Sequence, residues 1–358
     1  MSKYWSELVR GLEPYVPGEQ PKDRKYIKLN TNENPYPPSP AVLEVIHKHT
    51  GNDLRLYPDP DGDILKTAIA NYFQVKKKNV FVGNGSDEVL AFAFMTFFKQ
   101  KKQILYPDIT YSFYPVYSRI FEIEAATIPL TGDFRISLAD YPIDNGGIIF
   151  PNPNAPTGRL LTLEQIESLL KRNTESVVIV DEAYVDFGGN SCIPLINNYP
   201  NLLVIQTLSK SRSLAGIRVG FAVGASELID GLERAKNCFN SYTLDRLALV
   251  AATAAINDRI YFETKCQAII ATREWVKNEL EKLGFEVIPS AANFVLIQHQ
   301  NRKAGELFSA LRQRGVLVRY FKLPRIDNHL RVTIGTDGEM QEFIKQLQAI
   351  LSGGRPAT

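Results

Sequence analysis

The feature that most constrains this chain is a series of short, continuous apolar runs set apart by helix-like stretches. NVFVG (79–83), QILYP (103–107), GGIIF (146–150), VVIVD (177–181) and LLVIQT (202–207) show no apolar–polar alternation. A strand with one wet face alternates; a strand without alternation is covered on both faces. Such strands, separated by helices, belong to a mostly parallel sheet packed between helical layers. One intervening helix marks its own ends: Thr162 with Gln165 three residues on forms a capping box, and Lys171 and Arg172 occupy the last turn. A further helix is expected to begin near Glu88, after GNGSDE. The expected fold class is α/β, with a large, mostly parallel sheet domain covered by helices.

At 358 residues the chain is long enough for two or three domains. Its first forty residues, with LNTNENPYPPSP at 29–40, read as an extended arm. From about residue 257 the texture changes. A long helical stretch (260–283) leads into FEVIPS and ANFVLIQ, a helix in AGELFSALRQRG, then VLVRY, HLRVTIG and a closing helix to about Leu351. That order predicts a smaller α+β domain. The expected division is an arm over 1–45, a large domain over 46–256 and a small one over 257–358. No internal repeat or low-complexity linker separates them, so tight packing is expected, with a frayed tail at SGGRPAT (352–358).

Charge and cysteines exclude several classes. A net charge of +2, with no basic block longer than Lys76–Lys78, gives no footprint for nucleic acid. The start MSKYWSELVRGLEPYVPG lacks an apolar signal core, and no window reaches membrane-spanning length. Cys192, Cys238 and Cys266 form no CxxC pair, which disfavours disulfides and zinc and fits a reducing cytoplasm. His47 and His49, two apart on a helix, point to different faces, so no metal site is expected.

Chemistry concentrates in polar segments at the ends of the apolar runs, where an α/β sheet binds its ligands. GNGSDE (83–88) places glycines and free helix-start N–H groups together, so Gly85, Ser86 and Asp87 can cradle a phosphate; the same residues also serve as a plain helix cap. In VVIVDEAY (177–184), Asp181 ends a buried strand, where a carboxylate is costly unless it meets a cation or donors. A protonated pyridine nitrogen is one such partner; a metal or a loop cap is another. In LLVIQTLSKSRSLAGIRVG (202–220), Lys210 follows a buried strand among hydroxyls, with Ser209 and Arg218 as phosphate donors. An amine drawn out of water sheds its proton more readily, which suits Schiff-base chemistry. FPNPNAPTGRL (150–160) is a rigid polar turn, equally compatible with a purely structural role.

An aspartate ahead of a strand-end lysine resembles the fold-type-I aminotransferases, and among them the histidinol-phosphate aminotransferases. LNTNENPYPPSP, LYPDPDG, GNGSDE, PNPNAPTG, VDEAY, TLSKSRSLAGIRVG and YFKLPRIDNHLRVTIGT carry the likeness over nearly the whole chain. The resemblance implies pyridoxal 5'-phosphate held by Lys210 as a Schiff base, Asp181 on its pyridine nitrogen and Tyr184 on its phenolic oxygen. It implies Tyr111 stacked on the ring, and Gly85, Ser86, Asp87, Ser209 and Arg218 around its phosphate. Tyr57 would reach the phosphate of a partner subunit, making a homodimer with shared active sites and an arm that meets both the small domain and the partner. Where the commoner pattern has Asn before PTG, this chain has Ala155, so Asn154 is the candidate for that contact. Tyr15, Arg319 and Arg331 would hold the substrate's anionic group.

The reaction implied is transamination of L-histidinol phosphate with 2-oxoglutarate, giving imidazole acetol phosphate and glutamate in histidine biosynthesis. Its rivals are an aromatic or dual-substrate aminotransferase, a threonine-phosphate decarboxylase, and a non-catalytic cofactor-binding regulator. The last of these needs a basic DNA-binding segment that the charge balance does not provide.

Overall fold

The computed structural model describes residues 2–353, so the end of the tail expected to fray, from 354 onward, lies outside the described residues. Its strands are β1 (Ile27–Leu29), β2 (Val80–Gly83), β3 (Ile104–Pro107), β4 (Ala125–Ile128), β5 (Ile148–Pro151), β6 (Val178–Asp181), β7 (Leu202–Thr207), β8 (Gly220–Gly224), β9 (Phe285–Ile288), β10 (Phe294–His299), β11 (Val316–Tyr320) and β12 (Leu330–Thr333). They form a seven-stranded sheet in the order β2-β8-β7-β6-β5-β3-β4 and a five-stranded sheet in the order β1-β11-β12-β10-β9.

Each apolar run is a strand of the larger sheet, and its pairing is parallel from β4 through β3, β5 and β6 to β7. The lack of alternation has a direct cause. On β7, Leu202 and Val204 enter one core cluster while Leu203 and Ile205 enter another on the opposite face. Burying each such side chain contributes about 1.5–3 kcal/mol, so neither face can be given up. β8 is the exception to the parallel pattern. It runs antiparallel to both β2 and β7 and brings Gly220 beside the start of the helix Gly85–Ala93.

That helix starts three residues earlier than expected, at Gly85 rather than near Glu88. Glu88 instead reaches back, its Oε2 accepting from Asn84 N–H at 2.6 Å and from the Thr243 hydroxyl. The capping box at Thr162 is present in both halves, and the helix Leu163–Arg172 ends on its basic pair.

The smaller sheet is antiparallel except at β1, which pairs in parallel with β11, Ile27 opposite Val316. The arm is therefore partly a strand, and it completes the edge of the far sheet. The helix Arg259–Lys282 turns Phe262, Cys266, Ile269, Val276 and Leu280, spaced by three, four or seven, into the cluster shared with β9, β10 and β11. Buried Arg273 donates to Phe187 O and to Ala292 O at 2.8 and 2.9 Å. Arg325 grips Asp108, Leu130 O and Thr131 O at 2.7–2.9 Å. Both arginines fasten the smaller sheet to loops of the larger one. Among the described residues no helix is long and apolar enough to cross a membrane.

Candidate active site

Two adjoining cavities, of about 160 and 180 Å³, open at the carboxyl ends of β5, β6 and β7 and share Thr31, Tyr111, Ala155, Tyr184 and Lys210 in their walls. Lys210 lies just beyond β7. Its Nζ is 3.4 Å from Thr31 O and 5.8 Å from the centre of the Tyr184 ring. Asn34 Nδ2 donates to the carbonyls of Lys210 and Ser211, which pins the turn that carries the amine.

Asp181 ends β6 and is 4% exposed. Burial pushes its carboxyl up to about 6, against the pull of the Tyr114 hydroxyl, which donates to Oδ2 at 3.0 Å, and of Ala183 N–H on Oδ1. Its neighbour Glu182 is also buried and pushed up to about 7. It accepts from Ser191 Oγ, Cys192 N–H and Gln206 Nε2 at 2.6–2.8 Å. Those bonds fix the path of the chain from Asp181 into Tyr184.

On the far wall of the cavity of about 180 Å³, Ser86 and Asp87 open the helix Gly85–Ala93, facing Ser209 and Arg218. Free N–H groups of a first helical turn and a guanidinium make an anion site. The Asp87 carboxylate accepts from Arg218 Nη2 at 3.1 Å and from Tyr111 OH at 2.8 Å, so it braces two other residues of this wall. Gly85 stands at φ +78, and a Cβ there would lie 2.4 Å from Arg218 Nη2. Both Gly85 and Arg218, itself at φ +58, hold left-handed backbone to make this approach.

The cavity of about 160 Å³ holds Tyr15, Arg319 and Arg331. Arg331 donates to Asn30 O at 3.1 Å and Arg319 to Val16 O at 2.9 Å. Burial draws the Arg331 guanidinium below its usual value, and no carboxylate stands among the charges that act on it; Tyr184, Tyr15, Arg319 and Tyr111 do. Its Nε has no partner, although it is buried. Two adjacent guanidinium groups with no carboxylate partner among the described residues make an anion site.

Two candidates lie elsewhere. Asn154 is fully buried with Nδ2 donating to Ile109 O and Thr157 Oγ1, both at 3.0 Å, and it is Ala155 that faces the cavities. Ala155, one residue on, takes the place in the cavity wall that the sequence suggested for Asn154. Tyr57 is 79% exposed and stacks on Tyr242, ring centres 4.6 Å apart, in a separate surface depression with Arg246. It does not meet the Lys210 of its own chain.

Tyr114 and Asn32 were not singled out in the sequence. Tyr114 opens the helix Tyr114–Ile120, and its ring meets that of Tyr111 edge-on, ring centres 5.7 Å apart. Asn32 lies in the arm, where Asn-rich sequence signals turns rather than a site.

The chain matches the family Aminotransferase class I and II over residues 24–347. It is 61% identical to histidinol-phosphate aminotransferase 1 of Hydrogenovibrio crunogenus, covering 98% of this chain and 99% of that protein. It is 58% identical to the Clostridium acetobutylicum histidinol-phosphate aminotransferase, covering 98% of this chain and all of the other. The structure of the Sinorhizobium meliloti histidinol-phosphate aminotransferase, in complex with pyridoxal-5'-phosphate, superposes with a TM-score of 0.89 at 22% identity, over 99% of each chain. With a strand-end lysine, a buried carboxylate and an anion cradle all facing one cavity, the chain belongs to the class I and II aminotransferases, in their histidinol-phosphate aminotransferase branch.

Proposed function

We propose that this chain transaminates L-histidinol phosphate with 2-oxoglutarate, giving imidazole acetol phosphate and glutamate in histidine biosynthesis, with pyridoxal phosphate bound through Lys210. The observation that carries the substrate is the pair Arg319 and Arg331, free of carboxylates in the cavity that also holds Lys210. A phosphate on one substrate and a carboxylate on the other both suit guanidinium forks.

The cavity fits the cofactor. Asp181 offers a buried carboxylate to a pyridinium, and Ser86, Ser209, Arg218 and the first-turn N–H groups offer donors to its phosphate. When bound, pyridoxal phosphate is an electron sink that stabilises the charge left on a substrate carbon after proton loss. The chain's own residues do the rest. Lys210 would hold the cofactor and, as a free amine, would move the proton at the substrate Cα as general base. Asp181 would keep the proton on the pyridine nitrogen, Tyr184 would donate to the phenolic oxygen and Tyr111 would stack on the ring. Tyr15, Arg319 and Arg331 orient the substrate by its anionic end.

The exposed Tyr57–Tyr242 stack, remote from the chain's own Lys210, supports a cytoplasmic homodimer in which Tyr57 serves the partner's phosphate site. In this scheme the arm runs to about residue 45, the cofactor-holding body to about 256, and the smaller body beyond.

A single-turnover absorbance assay of the loaded protein tests the substrate. Histidinol phosphate should convert the cofactor to its amine form at least about 100-fold faster than histidinol or phenylalanine, as expected for a desolvated charge-assisted contact. Equal rates with phenylalanine would make it an aromatic aminotransferase. Release of carbon dioxide from threonine phosphate would make it a decarboxylase.

Gly220 gives a separate test of the phosphate cradle. A Cβ there would sit 2.3 Å from Ser86 N and 2.5 Å from Gly85 C, backbone atoms that cannot swing aside. Gly220→Ala is expected to weaken pyridoxal phosphate binding about 10-fold or more, the scale of an overpacking cost of 1–3 kcal/mol. Equilibrium dialysis reads it, and unchanged affinity would place the phosphate elsewhere.

A further inference from the structure

Tyr184 can serve an oxygen in the cavity only if its single hydrogen points there, and the bonds around Asn32 determine where that hydrogen goes. Asn32 is 1% exposed, lines the Arg331 cavity and holds left-handed backbone at φ +55. Its backbone N–H donates to Thr333 Oγ1 at 3.0 Å. An N–H can only donate, so the Thr333 oxygen is the acceptor there, and its own hydrogen is free to meet Asn32 Oδ1 at 3.1 Å. In the structure the amide oxygen lies at that hydroxyl. The other end, Nδ2, therefore faces Tyr184 Oη, at 3.0 Å, and donates to it. Asn293 Nδ2 closes the arrangement by donating to Asn32 O at 3.0 Å.

We propose that Asn32 is a positioning residue which, through the one-way chain Thr333 to Asn32 to Tyr184, aims the Tyr184 hydroxyl hydrogen into the Lys210 cavity. With its oxygen occupied by an incoming donor, Tyr184 turns its hydrogen away from the amide and toward the space beside Lys210. The role matters more here than the turn at 152–158 would suggest. Ala155 brings a methyl group to that wall, and the amide of Asn154 is committed to Ile109 and Thr157. Tyr184 is left as the side-chain donor at that edge of the cavity, and Asn32, delivered by the arm, sets its direction. The inference rests on Tyr184 facing the phenolic oxygen of the bound cofactor, as proposed above.

The test is a pH titration of the visible absorbance of the pyridoxal-phosphate-loaded protein. When the nitrogen bonded to Lys210 loses its proton, negative charge is left on the neighbouring phenolic oxygen, and a hydrogen from Tyr184 supports it. Losing that support raises the titration midpoint. Lys210, Arg218, Arg319, Arg331, Glu33, Asp87 and Asp181, the charged groups that share these cavities with Tyr184, are the same in every variant. Asn32→Gly keeps the left-handed backbone and both main-chain bonds while removing the amide. It should raise the midpoint by about one pH unit, the scale of one lost bond to a charged group.

Asn32→Asp keeps the size but puts an acceptor where the donor was, so Tyr184 turns its hydrogen to the carboxylate. Measured as the difference between parent and Tyr184→Phe backgrounds, which cancels the carboxylate's own field, its shift should equal or exceed that of Asn32→Gly. A packing role predicts the opposite order. Thr333→Val, which removes only the hydroxyl that sets the amide, should move the midpoint the same way by less. In the Tyr184→Phe background, Asn32→Gly should add nothing.

A midpoint that moves in Tyr184→Phe but not in Asn32→Gly overturns the role of Asn32. A midpoint unmoved in Tyr184→Phe overturns the proposed placement of Tyr184, and the inference with it.

Discussion

Lys210→Ala is expected to leave a folded protein that binds pyridoxal phosphate without a covalent bond and turns over at least about 10⁴-fold more slowly. Lys210 is the only lysine lining either cavity among the described residues, so no second amine stands ready to replace it. Its side chain makes one long hydrogen bond, to Thr31 O, lies over the Tyr184 ring, and forms no ion pair among the described residues that its loss would orphan, so stability should change little. Borohydride reduction followed by mass measurement reads the result directly. The parent should retain one cofactor mass per chain and the variant none. A stable adduct in the variant would move the covalent bond to another residue and take the assignment of Lys210 with it.

The second large effect concerns Asp181, and it splits in two directions. With cofactor, Asp181→Asn removes the anion that holds a proton on the pyridine nitrogen, and turnover should fall at least about 100-fold, as when a preorganised electrostatic partner is deleted. Without cofactor the same change should stabilise the fold. Burial pushes the folded carboxyl from its ordinary 3.8 up to about 6. Between those values the folded chain binds a proton that the unfolded chain has already released. Stability therefore falls as pH rises through that window, and above about pH 6 the full cost remains.

At 1.36 kcal/mol per unit, the charged carboxylate costs the empty protein on the order of 3 kcal/mol at pH 8. The unloaded variant should melt a few degrees above the parent at pH 8 and converge with it below about pH 4, where the parent carboxyl is protonated in both states. Calorimetry of the two unloaded proteins at both pH values decides it. A variant that melts lower at pH 8 would mean that the bonds from Tyr114 and Ala183 outweigh burial.

Those two residues were legible in the sequence for a physical reason. A lysine and an aspartate at the ends of continuous apolar strands are costly unless something partners them, which draws the eye to both. The parallel core was equally plain, since strands buried on both faces leave no alternation to confuse. β4 and β8 were not legible. AATI is half exposed at the sheet edge, and GFAVG has glycine at both ends and too little length to stand out. The reversal of β8 depends on where the chain after Lys210 turns, which is a tertiary fact. Which of Asn154 and Ala155 lines the wall was not legible either, because it depends on how the turn's backbone presents them, and it is Ala155. Tyr114 and Asn32 act through other side chains rather than on a ligand, and a single sequence carries no mark of such a partnership.

The parallel strand β1 has a consequence for how the protein is made. It joins residues 27–29 to 316–318, and the bond from Asn32 to Thr333 spans 301 positions. A ribosome releases the large sheet with its lysine and aspartate long before those partners exist. During that interval the nascent chain has the parts of the cavity but not its roof, and the arm's apolar edge has no strand to join. Closing a loop of that span is entropically slow, so the arm docks after the bulk of the chain has collapsed. Cofactor capture is thereby tied to completion of the polypeptide: a chain cut short before residue 316 would hold a well-ordered sheet and an unfinished catalyst.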